Sequence, residues 1–311
     1  MTEVTDATAP GPPPTALGWW ERASHIDPRY LIAFLITLVL VAAELRYHMV
    51  GGYVRLAVAL LTCLATEAVL SWYVRGKVVN LLSAYISGLS LTLLIKPQGG
   101  ALWPFVLGGF LAISSKYVLQ YRNNHLWNPT NFAIVTLLLA SANRVSVLSH
   151  QWGNDLATNL VIWTFGLVIA ARVRVLHITL TYVAAFFLLN GARALLLGQP
   201  LVPELAPITG PMYQLFVFFM ITDPRTVVRD RRWQIIVAIS IATVETLIRY
   251  GADQGWPMPT AFNAAPALAA LFLVGPIAKF IDLRRGGAVS GRPAGAPSLG
   301  GQGALPRAVR A

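Results

Sequence analysis

The stretch Tyr53–Trp72, YVRLAVALLTCLATEAVLSW, decides the fold class. It offers about the 20 residues that an α-helix needs to cross a hydrocarbon core. Only Arg55 and Glu67 interrupt it, and no polar stripe repeats at helical spacing. A helix apolar on every side belongs in lipid or in a protein interior, and lipid admits only helices or closed barrels.

Outward from this run the pattern repeats. Nine more apolar segments fall near residues 30–45, 79–95, 101–119, 130–148, 156–171, 175–195, 211–222, 233–248 and 260–281, the eighth of the ten being short for a full span. The composition agrees: 56% of the 311 residues are hydrophobic, 12% are charged, and the mean hydropathy is +0.60. A soluble domain carries about twice that charged fraction. The expected fold is all-α and membrane-embedded, with about ten spans. Residues 1–29 and 284–311 read as disordered tails, the first without the basic n-region of a cleavable signal peptide.

The net charge of +11 does not point to nucleic acid, because the basic residues lie in loops between apolar runs and form no patch. Counted by alternate loops, eighteen of the 24 Lys and Arg residues fall on one side, including Arg75, Lys77, Lys116, Arg122 and the group Arg225–Arg232. Arg46, Arg55, Lys96, Arg144, Arg193 and Arg249 fall on the other. The positive-inside rule then puts both termini in the cytoplasm.

A shift of 130 residues aligns Trp103 with Trp233, Ala112 with Ala242, and Leu138 with Leu268. It also aligns Pro129, Thr130 and Phe132 with Pro259, Thr260 and Phe262, and a shift of 127 brings Ile95-Lys96-Pro97 onto the Asp223-Pro224 region. The expected repeat is five helices, residues 30–150 and 151–283. An odd number makes the second copy enter the membrane inverted, with a functional centre near the midplane.

Two polar clusters touch the membrane. The first runs from Lys116-Tyr117 to His125-Leu126-Trp127-Asn128-Pro129-Thr130-Asn131-Phe132. Asn128 suits an N-cap and Pro129 the first helical turn, which leaves free amides for an anion or a polar ring system. Trp127 and Phe132 are candidates to stack on a planar ligand; a capped helix with interfacial aromatics reads the same way. The second is Ile221-Thr222-Asp223-Pro224-Arg225-Thr226, at the end of the short eighth segment. It suits a broken helix lining a cavity, and equally an Asp-Pro turn into a cytoplasmic loop.

Glu67 and Glu245 are intramembrane carboxylates and functional candidates by default. Arg249 follows Glu245 by four positions, whereas nothing local pairs with Glu67. Glu44 stands near a helix end. Asn80, Asn159, Asn190 and Asn263 are expected to hydrogen-bond between helices. The lone Cys63 rules out an intrachain disulfide, and the five histidines have no metal-ligand spacing. No P-loop, dinucleotide fingerprint or serine-hydrolase motif is present.

The two clusters resemble a known family. His125–Phe132 resembles the "N-x-F-N-P-A" segment, and Phe218-Phe219-Met220-Ile221-Thr222-Asp223-Pro224-Arg225-Thr226 the "F-F-M-A-T-D-P-x-S/T" segment, of the RnfD/NqrB membrane subunits of bacterial electron-transport complexes. The form Lys116-Tyr117 … His125-x-x-Asn128-Pro129-x-Asn131-Phe132 is most similar to a divergent branch associated with enediyne biosynthesis. The resemblance implies a multi-pass subunit of the bacterial cell membrane that holds flavin and passes electrons, sometimes coupled to ion movement. It implies a flavin site at Lys116, His125, Asn128, Pro129, Thr130, Asn131, Thr222, Asp223, Pro224 and Thr226. The family's "S/D-G-A-T-x-x-T" segment for covalent FMN has no counterpart in Ser141–Thr158, so any FMN or riboflavin is expected to be non-covalent. With no iron–sulfur cysteines, the chain is at most a subunit, with lipid around it and redox partners or further copies beside it. A channel or transporter for a small solute or secondary metabolite on the same scaffold is the alternative.

Overall fold

The computed structural model describes residues 28–285, except 49, 51, 142 and 149–155. The remainder of both tails, and Gly153-Asn154-Asp155 of the loop read above, lie outside the described residues. The described chain is mainly helical. It opens with α1 (Pro28–Tyr47), α2 (Tyr53–Arg75), α3 (Leu82–Leu94), α4 (Trp103–Val118) and α5 (Pro129–Ala140). It continues with α6 (Leu156–Arg172), α7 (Leu176–Leu196), the short α8 (Leu201–Leu205), α9 (Pro211–Leu215), α10 (Arg231–Asp253), α11 (Thr260–Ala264) and α12 (Pro266–Arg285). Among these, α2, α7, α10 and α12 are long and apolar enough to cross a membrane. The chain has the character of a membrane protein.

Local sequence accounts for most helix ends. Asn128 caps α5, its Oδ1 accepting the Asn131 amide at 3.0 Å, with Pro129 in the first turn. Asp230 caps α10 by accepting the amides of Arg232 and Trp233 at 2.9 and 3.1 Å. Gly76 takes a left-handed conformation (φ 67°) and returns its N–H to Trp72 O, closing α2. Gly210 precedes Pro211 at the start of α9.

Three apolar runs do not become single helices. The run at 130–148 stops at Ala140, and Val145–Val147 instead pairs antiparallel with Ile95–Pro97. The run at 260–281 breaks at Ala265, and Pro266 restarts it. The eighth run widens into a π-helical turn over Phe216–Met220, where the Ile221 N–H reaches back to Phe216 O and the Thr222 hydroxyl to Phe218 O at 2.5 Å. Such breaks are tolerated at membrane depth only where other groups take up the freed backbone.

Pro276 within α12 shows the same accounting. Proline has no N–H to give to the carbonyl four residues back, which is Phe272 O. The Trp127 indole donates to that oxygen at 3.0 Å, from the loop before α5. Arg122 likewise donates to Leu283 O at 2.9 Å near the end of α12.

The helices pack around two hubs. α2 lies against α3 and α4, and α4 also packs on α5; α10 lies against α7 and α12. α1 meets α6, and α5 meets α11 and α12, joining the two halves. Gly88 of α3 lets the α2 backbone approach, since a Cβ there would stand 3.1 Å from Leu60 Cα.

Candidate functional site

A cavity of about 540 Å³ opens where the two halves meet. Its walls bring together Lys116, His125, Asn128, Pro129, Thr130, Thr222, Asp223 and Pro224, eight of the ten positions expected from the sequence, and Glu67 beside them. Two positions stand apart. Asn131 is buried beside the cap with both side-chain polar atoms unpartnered. Thr226 lies behind the Asp223 turn, its hydroxyl on Asp223 O at 3.3 Å.

The two sequence clusters touch directly. Asn128 accepts the Asn131 amide through Oδ1, and this orients its Nδ2 to donate to Asp223 Oδ2 at 3.1 Å. Asp223 Oδ1 accepts the Arg225 amide at 3.0 Å, so the Asp-Pro turn holds its own carboxylate in place. Burial holds this carboxyl above the usual range, against the opposing pull of the Arg225 amide and charge and the Asn128 hydrogen bond.

His125 accepts from the Arg225 guanidinium at Nε2, 3.2 Å away. Burial, with the positive charges of Arg225 and Lys116, pushes its pKa down to about 4. The imidazole is therefore neutral at physiological pH.

Glu67 has partners that its own helix does not supply. Lys116 Nζ donates to Glu67 Oε2 at 3.0 Å and to Ser83 Oγ at 3.0 Å, and the Tyr117 hydroxyl donates to Glu67 Oε1 at 2.7 Å. The Arg75 guanidinium lies over the Tyr117 ring, 5.8 Å from its centroid. Lys116, which a loop count assigns to the cytoplasmic surface, is thus a buried member of the site.

Glu245 lies elsewhere and is fully enclosed. It accepts from Tyr182 and Tyr213, and from Arg249 Nε at 3.1 Å; Arg249 also bonds the Tyr213 hydroxyl. Arg249 and Tyr213 line a second cavity of about 200 Å³ together with Gly210 and Asn263. The Arg249 pairing was legible as an i, i+4 spacing; the two tyrosines were not.

Other expectations resolve differently. Trp127 and Phe132 pack on each other and on Phe272 of α12, and the aromatic rings at the large cavity are Phe218, Phe219 and Tyr117. Of the four asparagines, Asn159 bonds across helices to Gln214 at 2.9 Å, while Asn190 bonds to Phe186 O in its own helix and Asn80 accepts the Leu82 amide. Glu44 accepts the Val50 amide at 2.9 Å beyond the end of α1. Cys63 is buried, and among the described residues no group of three His, Cys, Asp or Glu side chains could hold a metal ion.

The arrangement suits the binding of a charged, partly apolar ligand. Three cations (Arg75, Lys116, Arg225) face two carboxylates, beside the N-terminus of α5 and an apolar wall that includes Ile86, Ile169 and Phe218. On this wall Ser83 Oγ, Lys116 Nζ and Glu67 form one hydrogen-bonded chain, with Tyr117 on the other Glu67 oxygen. No family model matches the chain, and no curated protein matches it.

Proposed function

We propose that this chain is a multi-pass subunit of the bacterial cell membrane that holds a flavin non-covalently in the 540 Å³ cavity and passes electrons across or along the membrane. The observation that carries this reading is the 3.1 Å contact between Asn128 and Asp223 at the cavity wall. It joins the two segments that resemble RnfD/NqrB, which stand ninety-five residues apart. The Phe218 and Phe219 rings offer faces for an isoalloxazine, and Arg75 and Arg225 suit a phosphate. Electrons enter and leave through partner proteins, because the chain has one cysteine and no nicotinamide fingerprint.

The architecture in this proposal is ten spans in two inverted five-helix repeats, with both termini cytoplasmic. Its support is a correspondence of contacts: α2 with α4 in one half answers to α7 with α10 in the other, and α4 with α5 answers to α10 with α12. The short α3 and α9 are the broken third helices of the two repeats.

The test is the absorbance spectrum of the purified protein, followed by an acid extract and loading with FMN and riboflavin. The reading expects near-stoichiometric flavin, reduced by Asn128→Ala or Asp223→Asn. A colourless protein that resists loading would overturn it.

The second cavity favours one alternative, transport of a small solute or secondary metabolite. By the loop charges, Arg249 and Tyr213 lie at the side opposite Arg75, so a cavity stands at each side and each half carries a buried glutamate. Solute flux into liposomes that Asp223→Asn abolishes would favour this alternative.

A further inference from the structure

The two buried glutamates, one in each half of the chain, differ in what surrounds them. Glu245 is sealed: its side chain is 0% exposed and it meets two tyrosines and an arginine. Glu67 and Lys116, each with a side chain 8% exposed, lie on the wall of the large cavity. One pair is a packed lock. The other faces a cavity large enough for a ligand.

We infer that Lys116 is an oxyanion-binding group whose intrinsic partner is the chain's own Glu67, and that a phosphate or carboxylate on an apolar ligand takes the lysine over. Lys116 has the geometry for this exchange. Its Nζ already holds an oxygen of Glu67 at 3.0 Å and Ser83 Oγ at 3.0 Å, two fixed points of an oxyanion cradle. Glu67 keeps a partner when it yields, because Tyr117 donates to its other oxygen at 2.7 Å.

The surrounding charges favour an incoming anion. From α2 come Glu67 and Arg75, and from α4 Lys116 and Tyr117; Tyr85 on α3 is engaged with Thr37 at 2.9 Å. The loop residue His125 is neutral, and Asp223 and Arg225 lie on the turn after the π-helical segment. Asp223 is held by Asn128 and the Arg225 amide, which leaves Glu67 as the carboxylate on Lys116. The apolar wall from Ile86, Ile169 and Phe218 takes the ligand body. This inference rests on the reading of the cavity as a ligand site, and it specifies the ligand as anionic.

The test uses the full chain in detergent, with thermal unfolding followed against inorganic phosphate at constant ionic strength. Removing the internal competitor in Glu67→Gln should tighten the apparent Kd for phosphate on the order of tenfold, the factor that about 1.4 kcal/mol represents. Lys116→Gln should lose the response. Glu67→Asp, which keeps the charge but withdraws it from Lys116, should tighten binding to a smaller extent and provides the reading if Glu67→Gln fails to fold. Phosphate binding that is no tighter in either Glu67 variant, or unchanged in Lys116→Gln, would overturn the inference.

FMN and riboflavin separate this result from the flavin proposal. A tightened phosphate response with neither flavin bound sinks the flavin proposal and leaves the inference standing. Both flavins bound equally in wild type and Glu67→Gln, with no phosphate response, does the reverse. A tightened response to phosphatidic acid in mixed micelles, with none to inorganic phosphate, supports the inference and assigns the oxyanion to a lipid headgroup.

Discussion

Replacing Glu245 by alanine tests the sealed cluster in the second half. The side chain is fully buried, and its loss strands the Arg249 guanidinium, whose side chain is 15% exposed, and the hydroxyls of Tyr182 and Tyr213. Hydrogen bonds inside membrane proteins average about 0.6 kcal/mol, so the two tyrosines together contribute only about 1 kcal/mol. Breaking a buried ion pair from one side costs about 3–5 kcal/mol, because a charge is left uncompensated. The charge term therefore dominates. The rings of Phe186 and Tyr213, each 5.9 Å from the guanidinium carbon, offset part of it by roughly 1 kcal/mol. The expected loss is about 3–5 kcal/mol, read from unfolding equilibria in mixed micelles of mild detergent and dodecyl sulfate. Glu245→Leu combined with Arg249→Met should recover more than half of it, since a buried pair replaced by apolar groups is often neutral. A loss below about 1 kcal/mol for the single variant would refute the reasoning. So would a double variant no better than the single.

Three further outcomes follow from the same structure. Trp127→Phe keeps the aromatic packing but leaves Phe272 O unpaired below Pro276, and the same unfolding assay should register a loss of about 1–3 kcal/mol. Gly88→Ala puts a Cβ 2.9 Å from Leu60 Cδ2 and 3.1 Å from Leu60 Cα; a backbone neighbour gives way poorly, so about 1–3 kcal/mol should be lost, and an unchanged unfolding curve would mean that α2 and α3 separate easily. His125 has its folded pKa depressed to about 4 from 6.5, so its contribution is complete above pH 6.5 and is lost as pH falls toward 4. About 3 kcal/mol of acid sensitivity should disappear in His125→Gln when unfolding is compared at pH 7 and pH 4.

The sequence alone determined that this chain is helical and belongs in lipid. Runs such as Tyr53–Trp72 are apolar on every side, and hydrophobic transfer depends on composition and length, not on which helix lies next door. Helix ends were legible for the same reason: the Asn128 cap and the Pro129 first turn are decided within a few residues. The Arg249 partner of Glu245 was visible because one helical turn is a local distance.

What only the tertiary structure decided is everything that spans helices. Lys116 and Tyr117 lie 49 and 50 positions from Glu67, and Tyr182 lies 63 from Glu245. No periodicity links such residues, because their meeting depends on which helices are neighbours and how each is rotated. The helix breaks after Ala140 and at Ala265 were hidden in continuous apolar runs, since a strand pair or a proline restart buries the same side chains that a helix would. The sequence left the Trp127 indole either to a planar ligand or to a capped helix end, and packing puts its N–H on Phe272 O beneath Pro276. Hydropathy is additive along a chain. Hydrogen bonds and ion pairs need two partners at one place, and only the packed helices supply the second.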